Sequence, residues 1–293
     1  MSIILDGNTK ILVQGITGKE SSFWTEKMLQ SGTNIAAGVT PGKGGSEVHG
    51  VPVYDLVEEA VAEGPIDMAV LYVPARFTRD ALFEVLAAGI KKAVALADGV
   101  PVYDMLEIKE LAKKNGAMII GPNTPGMATI GEAMVGFIPV WLSDVYRPGS
   151  VGLITRSGTL TNEISSHIIE AGYGISTLVG CGGDSLPGTR FTDLMPLFAE
   201  DEQTEALVIV GEIGGSMEEE VAEFVKGTGF AKPVVAYVAG RTAPKGKRMG
   251  HAGAIISRGK GTVEGKRQAL ESAGIPVAAT PAEVGSLLHK RLG

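Results

Sequence analysis

The chain has 293 residues, of which 44% are hydrophobic and only 5% aromatic, with 41 glycines and a formal net charge of −7. This is the profile of an α/β protein long enough for about two domains, and an acidic chain without basic–aromatic interleaving is a poor match for a nucleic-acid surface. No apolar run nears the roughly 20 residues that span a bilayer, the N-terminus lacks the charged and apolar regions of a secretory signal, and the single cysteine, Cys181, suits a reducing compartment, so a cytoplasmic, non-membrane protein is expected.

Taken in chain order, short Val/Ile/Leu/Ala runs predict strands at residues 11–14, 35–38, 68–73, 93–97 and 117–120. Runs of this kind are covered on both faces in a parallel sheet. Helical patterns lie between them, near residues 22–30, 57–62, 77–88 and 104–114. The segment Pro122-Asn123-Thr124-Pro125-Gly126 breaks the alternation, and an irregular stretch is expected from there to Arg147-Pro148-Gly149. A second alternation follows, with strands at 151–155, 177–179, 206–210, 234–238 and 277–278 and helices near 161–171, 218–226, 265–273 and 281–291. Two doubly wound units are the economical reading, spanning residues 1–123 and 124–293 with a connecting segment at about 124–148.

In doubly wound sheets, ligands sit at the carboxyl ends of the strands. The first such loop, Gln14-Gly15-Ile16-Thr17-Gly18-Lys19-Glu20, is a strand-to-helix turn able to hold a phosphate at a helix N-terminus. It lacks the third glycine of the dinucleotide fingerprint, and the next strand ends in Gly38-Val39-Thr40 without the acid that would hold a ribose. Thr40-Pro41-Gly42-Lys43-Gly44-Gly45 follows, a flexible loop with one cation. The two loops suit a phosphate-bearing ligand without nicotinamide, although two ordinary turns would look the same locally.

In the second half, Thr155-Arg156-Ser157-Gly158-Thr159-Leu160 places hydroxyls at a helix start, which serves either an anion site or simple N-capping. Gly211-Glu212-Ile213-Gly214-Gly215 puts a carboxylate at a strand end. Thr242 to Ile256 then sets His251 between two glycines, after Lys245, Lys247 and Arg248. Imidazole is nucleophilic near neutral pH and takes up phosphoryl groups, and flanking glycines let a phosphate approach the backbone. If the strand of Glu212 neighbours the one leading to His251, the carboxylate would fix the imidazole tautomer. His49, His167 and His289 are scattered on a loop and two helices, and with one cysteine they suggest no metal-ligand cluster. Cys181, among glycines, reads as a small buried or loop residue.

Six ordered motifs, Gln-Gly-Ile-Thr-Gly, Gly-Val-Thr-Pro-Gly-Lys-Gly-Gly, Gly-Pro-Asn-x-Pro-Gly, Thr-Arg-Ser-Gly-Thr-Leu, Gly-Glu-Ile-Gly-Gly and Ala-Pro-Lys-Gly-Lys-Arg-Met-Gly-His-Ala-Gly-Ala-Ile-Ile, together resemble the α subunit of succinate–CoA ligase over essentially the whole chain. The resemblance implies a Rossmann-like CoA-binding domain followed by a flavodoxin-like ligase domain. It implies CoA contacts from Thr17, Gly18, Lys19, Glu20, Lys43, Leu96, Ala97 and Asp98, a phosphorylated His251 supported by Glu212, and a phosphoryl site at Ser157, Gly158 and Thr159. It also implies ATP or GTP with Mg²⁺, bound mainly by a partner β subunit with an ATP-grasp domain, in an αβ or α2β2 assembly. This accords with the absence of a Walker A sequence here. The implied reaction converts a carboxylic acid, CoA and the nucleotide to acyl-CoA through a phosphohistidine and an acyl phosphate.

The chain departs from the family's pattern at several positions, one of which, Asn162, is associated in the family with the acid site. Asn162 stands where succinate ligases carry a tyrosine, Thr124 replaces a cysteine, and Val140-Trp141 replaces a Gly-His pair. A more polar acid such as citrate, malate or a sulfonated acid is the alternative to succinate. A CoA-binding protein without turnover is disfavoured by the presence of His251 and Glu212, and a dehydrogenase by the incomplete fingerprint.

Overall fold

The computed structural model describes residues 3–244, 248–256 and 261–293. In chain order the first part runs β1 (Ile11–Gln14), α1 (Lys19–Gln30), β2 (Ile35–Val39), β3 (Glu47–Val48), β4 (Val51–Tyr54), α2 (Val57–Glu63), β5 (Met68–Leu71), α3 (Ala75–Ala87), β6 (Lys92–Ala95), α4 (Val102–Asn115) and β7 (Met118–Ile120). The second runs β8 (Gly126–Thr129), β9 (Ala133–Gly136), β10 (Pro148–Thr155), α5 (Gly158–Glu170), β11 (Ile175–Gly180), α6 (Phe191–Glu200), β12 (Ala206–Glu212), α7 (Met217–Thr228), β13 (Val234–Ala239), α8 (Val263–Ser272), β14 (Val277–Ala278) and α9 (Glu283–Leu292).

The first sheet has the order β3-β4-β2-β1-β5-β6-β7, parallel except for the short β3. Counting only parallel strands, this is the 3-2-1-4-5-6 order of a Rossmann fold, with its switch point between β1 and β5. The second sheet has the order β14-β13-β12-β10-β11-β8-β9. Its five parallel strands follow the 2-1-3-4-5 flavodoxin order, with the switch point between β10 and β12. The apolar runs behave as expected of strands covered on both faces: β1, β5, β11 and β12 are buried throughout.

The stretch expected to be irregular is so only from residue 137 to 147. Residues 126–136 form an antiparallel pair, β8 against β9, and β8 pairs antiparallel with β11. Thr33 Oγ1 donates to Met134 O at 2.7 Å and Thr129 Oγ1 to Leu5 O at 2.6 Å, binding the pair to the first unit. One apolar core therefore runs from Ile11, Val13 and Val70 through Met127 and Val135 to Leu153 and Ile209. A second cluster, including Leu12, Leu71, Leu82 and Ile108, fills the far side of the first sheet. α6 was also not foreseen: Pro196 lies inside it, yet Phe191, Leu194, Met195 and Phe198 are fully buried. Burial of that apolar face outweighs the proline's missing N–H. No described helix is long and apolar enough to cross a membrane.

Candidate active site

The two switch points each open on a cavity. The first, about 580 Å³, lies at the carboxyl ends of β1, β5 and β6 and is lined by Gly18, Lys19, Glu20, Tyr72, Pro74, Leu96, Ala97, Asp98 and Phe137 among others. α1 starts here behind Gly18, which makes no side-chain cap, so the first N–H groups of the helix are left for a ligand. Burial pushes the Tyr72 hydroxyl far above its ordinary pKa, and it donates to Gly136 O at 2.8 Å, which fixes the strand pair against this wall. Thr17 and Lys43 do not line the cavity. Thr17 instead bonds Thr40 across the two loops at 3.2 Å. Asp55 holds the second loop by accepting the backbone N–H groups of Lys43 and Gly44, each at 2.9 Å. The Lys43 side chain is exposed on that pinned loop.

The second cavity, about 400 Å³, is lined by Leu96, Asn123, Thr124, Pro125, Phe137, Ile138, Tyr146, Ser157, Gly158, Thr159, Thr161, Asn162 and His251. Leu96 and Phe137 belong to both cavities, so the two adjoin. α5 begins at this cavity with Ser157 as N-cap, its side chain accepting from Leu160 N–H. The buried Tyr146 donates its hydroxyl to Asn162 Oδ1 at 2.5 Å. Burial raises the Tyr146 pKa well above the ordinary value, so it stays a donor. The Asn162 amide therefore spends an acceptor on Tyr146. Tyr146 and Asn162 line the same cavity.

β12 ends in Glu212, pairs with β13, and β13 leads into the loop carrying His251. That adjacency was the condition set by the sequence, and it holds. His251 Nδ1 lies 2.8 Å from Glu212 Oε2. Glu212 is 6% exposed, and its other oxygen, Oε1, faces Arg156 Nη2 at 3.3 Å as an ion pair without a hydrogen bond. The hydrogen bond to Glu212 holds the His251 pKa above that of a free histidine, against the opposing effect of burial. With Nδ1 donating to the carboxylate, Nε2 carries the lone pair. The ring is backed by Gly183, where a Cβ would stand 2.2 Å from the imidazole Cγ. Next to it Asp184 accepts from Asn123 Nδ2 at 3.0 Å, and burial raises its pKa.

Sequence reading passed over Arg156, Tyr146 and Asp184 as functional residues. Arg156 carries one usable signal, its place directly after an apolar strand in Thr155-Arg156-Ser157-Gly158. Lys245 and Lys247 lie outside the described residues. The other histidines are engaged elsewhere: His49 with Ser22, His167 with Glu170 and His289 with Tyr173. Cys181 is buried, which raises its thiol pKa. Among the described residues no group of three or more His, Cys, Asp or Glu is arranged for a metal ion.

Residues 6–99 match the family model of the CoA binding domain, and residues 154–275 that of the CoA-ligase. The chain is 52% identical over 293 residues to the ADP-forming sulfoacetate–CoA ligase subunit SauD of Bilophila wadsworthia, covering 100% of both chains. It is equally 52% identical, over 292 residues and 100% of both chains, to the ADP-forming succinate–CoA ligase subunit alpha 2 of Archaeoglobus fulgidus. Among solved structures, the ATP citrate lyase of Methanothrix soehngenii in complex with citrate and coenzyme A superposes with a TM-score of 0.89 at 26% identity, over 98% of this chain and 50% of that one.

Proposed function

This chain belongs to the ADP-forming acid–CoA ligases, the family of succinate–CoA ligase α subunits, and from that premise we propose that it forms the thioester of a small anionic acid through a phosphorylated His251. The observation that carries the reading is the His251–Glu212 pair at 2.8 Å, opening on the same cavity as the N-terminus of α5. With its Nδ1 proton held by Glu212, the imidazole attacks through Nε2. The bond to the departing nucleoside diphosphate breaks as the N–P bond forms, and Glu212 stabilises the positive ring. ATP would come from the partner subunit, and Mg²⁺ bound there would offset the phosphate charge.

Ser157, Gly158 and Thr159 then receive the phosphoryl oxygens at the start of α5, where free N–H groups and the helix dipole favour an anion. The acid lies beside Tyr146 and Asn162. Its carboxylate takes the phosphoryl group from Nε2, giving an acyl phosphate and neutral imidazole. The CoA thiol reaches that carbonyl past Leu96 and Phe137, the residues both cavities share. Thiolate attack expels phosphate, and the thiol proton leaves with it or with solvent.

The first cavity suits CoA in the residues present. An uncapped helix start, the Lys19 cation at its edge and the apolar Leu96 and Ala97 match a phosphate-bearing ligand with a long, largely apolar arm. Gly18, Lys19, Glu20 and the segment Leu96-Ala97-Asp98 would line it, with Thr17 holding the two loops together and Lys43 reaching from the second.

Equal identity to sulfoacetate and succinate enzymes leaves the acid to the site. Tyr146 takes one of the two acceptor positions of Asn162 Oδ1, while both amide N–H groups remain to donate. This favours an acid whose distal head is rich in acceptors, a sulfonate or an additional carboxylate, over plain succinate. The test combines the chain with its β partner, Mg²⁺ and γ-labelled ATP. Acid-labile, base-stable label on the parent that is absent from His251→Asn supports the carrier, and label retained in His251→Asn ends the reading.

A further inference from the structure

His251 is the partly exposed end of a row of alternating charge that is buried from Glu212 inward. Arg156, 3% exposed, meets Glu212 on one side, and on the other its Nη1 lies 3.9 Å from Glu218 Oε1. Glu218 is fully buried at the start of α7, and its Oε1 also accepts the backbone N–H of Glu212 at 3.0 Å. Its Oε2 accepts a hydrogen bond from the Lys266 ammonium, which is itself fully buried on α8 and also donates to Glu219 Oε2 at 3.0 Å and Gly215 O at 3.2 Å. All three N–H groups of Lys266 are thereby used. Gly211 makes room for the row: a Cβ there would stand 2.2 Å from Glu218 Oε1.

Such a row is costly. Taking ions out of water is seldom repaid by their mutual attraction, and apolar residues of like volume serve stability as well or better. Its far members touch neither cavity, yet each is linked to the carboxylate that holds His251. We propose that Glu218 and Lys266 are positioning residues for the relay, dividing the charge of Arg156 between two carboxylates and so setting how strongly Glu212 binds the imidazole proton. The proposal rests on His251 as the phosphoryl carrier. Glu218 draws Arg156 away from Glu212, and Lys266 limits that draw by neutralising Glu218. Among the described residues, Asp184, from the loop after β11, is a further charge acting on the ring, and Arg248 in the histidine loop acts on Asp184. Arg190 on the α6 side is held by Glu220 at 2.6 Å and belongs to a separate pair.

The two substitutions act in opposite directions. Glu218→Gln keeps an acceptor for the Glu212 N–H but removes the charge. Arg156 then rests wholly on Glu212, and the His251 titration moves to lower pH, by about half a pH unit or more. Lys266→Met leaves Glu218 ionised against Arg156 alone, pulls the guanidinium from Glu212, and moves the titration to higher pH. Lys266→Arg, which keeps the charge, returns the parent titration. The experiment is an NMR pH titration of the full chain with labelled histidines, His251 being assigned by its loss in His251→Asn. Opposite shifts support the proposal. Shifts of the same sign, or an unmoved titration accompanied by lower melting temperatures, overturn it and leave the row as packing. Because the titration needs no phosphoryl donor, a wrong carrier shows up separately, as missing label on the parent.

Discussion

Gly183 and His251 are fitted to one another: the imidazole lies where the glycine has no side chain, and a Cβ would come within 2.2 Å of its Cγ. The φ of Gly183 is not among the positive values along this backbone, so alanine is conformationally allowed there and its cost falls on the ring. Gly183→Ala should displace the imidazole from Glu212 and lower turnover by about 100-fold or more, as expected for reacting groups moved by an ångström. Melting temperature and CoA affinity should stay close to the parent. Turnover within a few-fold of the parent would show that the ring tolerates displacement.

A raised His251 pKa makes the phosphorylation rate depend on pH in a definite direction. The imidazolium has no lone pair at Nε2, so the rate should climb as pH rises through a value above the ordinary histidine pKa. Glu212→Gln removes the carboxylate responsible. Its rate limb should move to lower pH while the plateau falls by about 10²- to 10⁴-fold, the range that proton-handling partners supply. Folding follows the same linkage. The folded chain binds this proton more tightly than the unfolded one, so the His251 contribution to stability is fully present below the ordinary histidine pKa and is lost as pH rises through the folded value. Single-turnover labelling across a pH series measures the first effect, and denaturant unfolding of parent against His251→Asn the second.

Lys43 stands exposed on a loop whose backbone is pinned by Asp55. If its ammonium meets a CoA phosphate, Lys43→Ala should weaken CoA binding by about 1–3 kcal/mol at low salt, as for a hydrogen bond to a charged group. The difference should shrink as ionic strength rises. Calorimetry at two salt concentrations checks both, and NAD should give no heat. Tight NAD binding with no CoA binding would restore the dehydrogenase reading.

The acid site is tested through Tyr146 and Asn162. Tyr146→Phe frees Asn162 Oδ1, sets an unpaired acceptor beside the distal head of the acid, and should raise KM for a sulfonated or additional-carboxylate acid about tenfold, close to one hydrogen bond. The KM for CoA should not change. A panel of sulfoacetate, citrate, malate and succinate, assayed with the β partner, gives the ranking by kcat/KM. Succinate ranked first by both the parent and Asn162→Tyr would refute a preference for the more polar head.

Much of the architecture was legible from local pattern. The short apolar runs became the parallel strands apart from β4, which was not read as a strand, and the glycine-rich loops after β1, β2, β10 and β12 fell at their carboxyl ends. β8 and β9 escaped because they are four residues each and flanked by proline and glycine, which read as irregular chain. They exist because β11 offers an edge for β8 to pair with. α6 escaped because Pro196 argues against a helix, an argument overridden by four buried apolar side chains. Lys266, in Gly265-Lys266-Arg267, looks like any solvated helix lysine. Its burial follows from the packing of α8 against α7.

By itself, the sequence determined the class of fold, the loops that carry chemistry and the residue types gathered there, because period, turn chemistry and phosphate-binding loops are properties of near neighbours. The tertiary structure alone decided which of those residues meet. Glu212 and His251 are 39 positions apart and touch because β12 lies beside β13, and Arg156 joins them because β10 lies on the other side of β12. Strand order places the switch point between β10 and β12, and so puts a carboxylate, a guanidinium and an open helix start around one imidazole. No local pattern encodes strand order. It is set by which apolar faces can be buried together, and the buried charges behind His251 are positioned by that same packing.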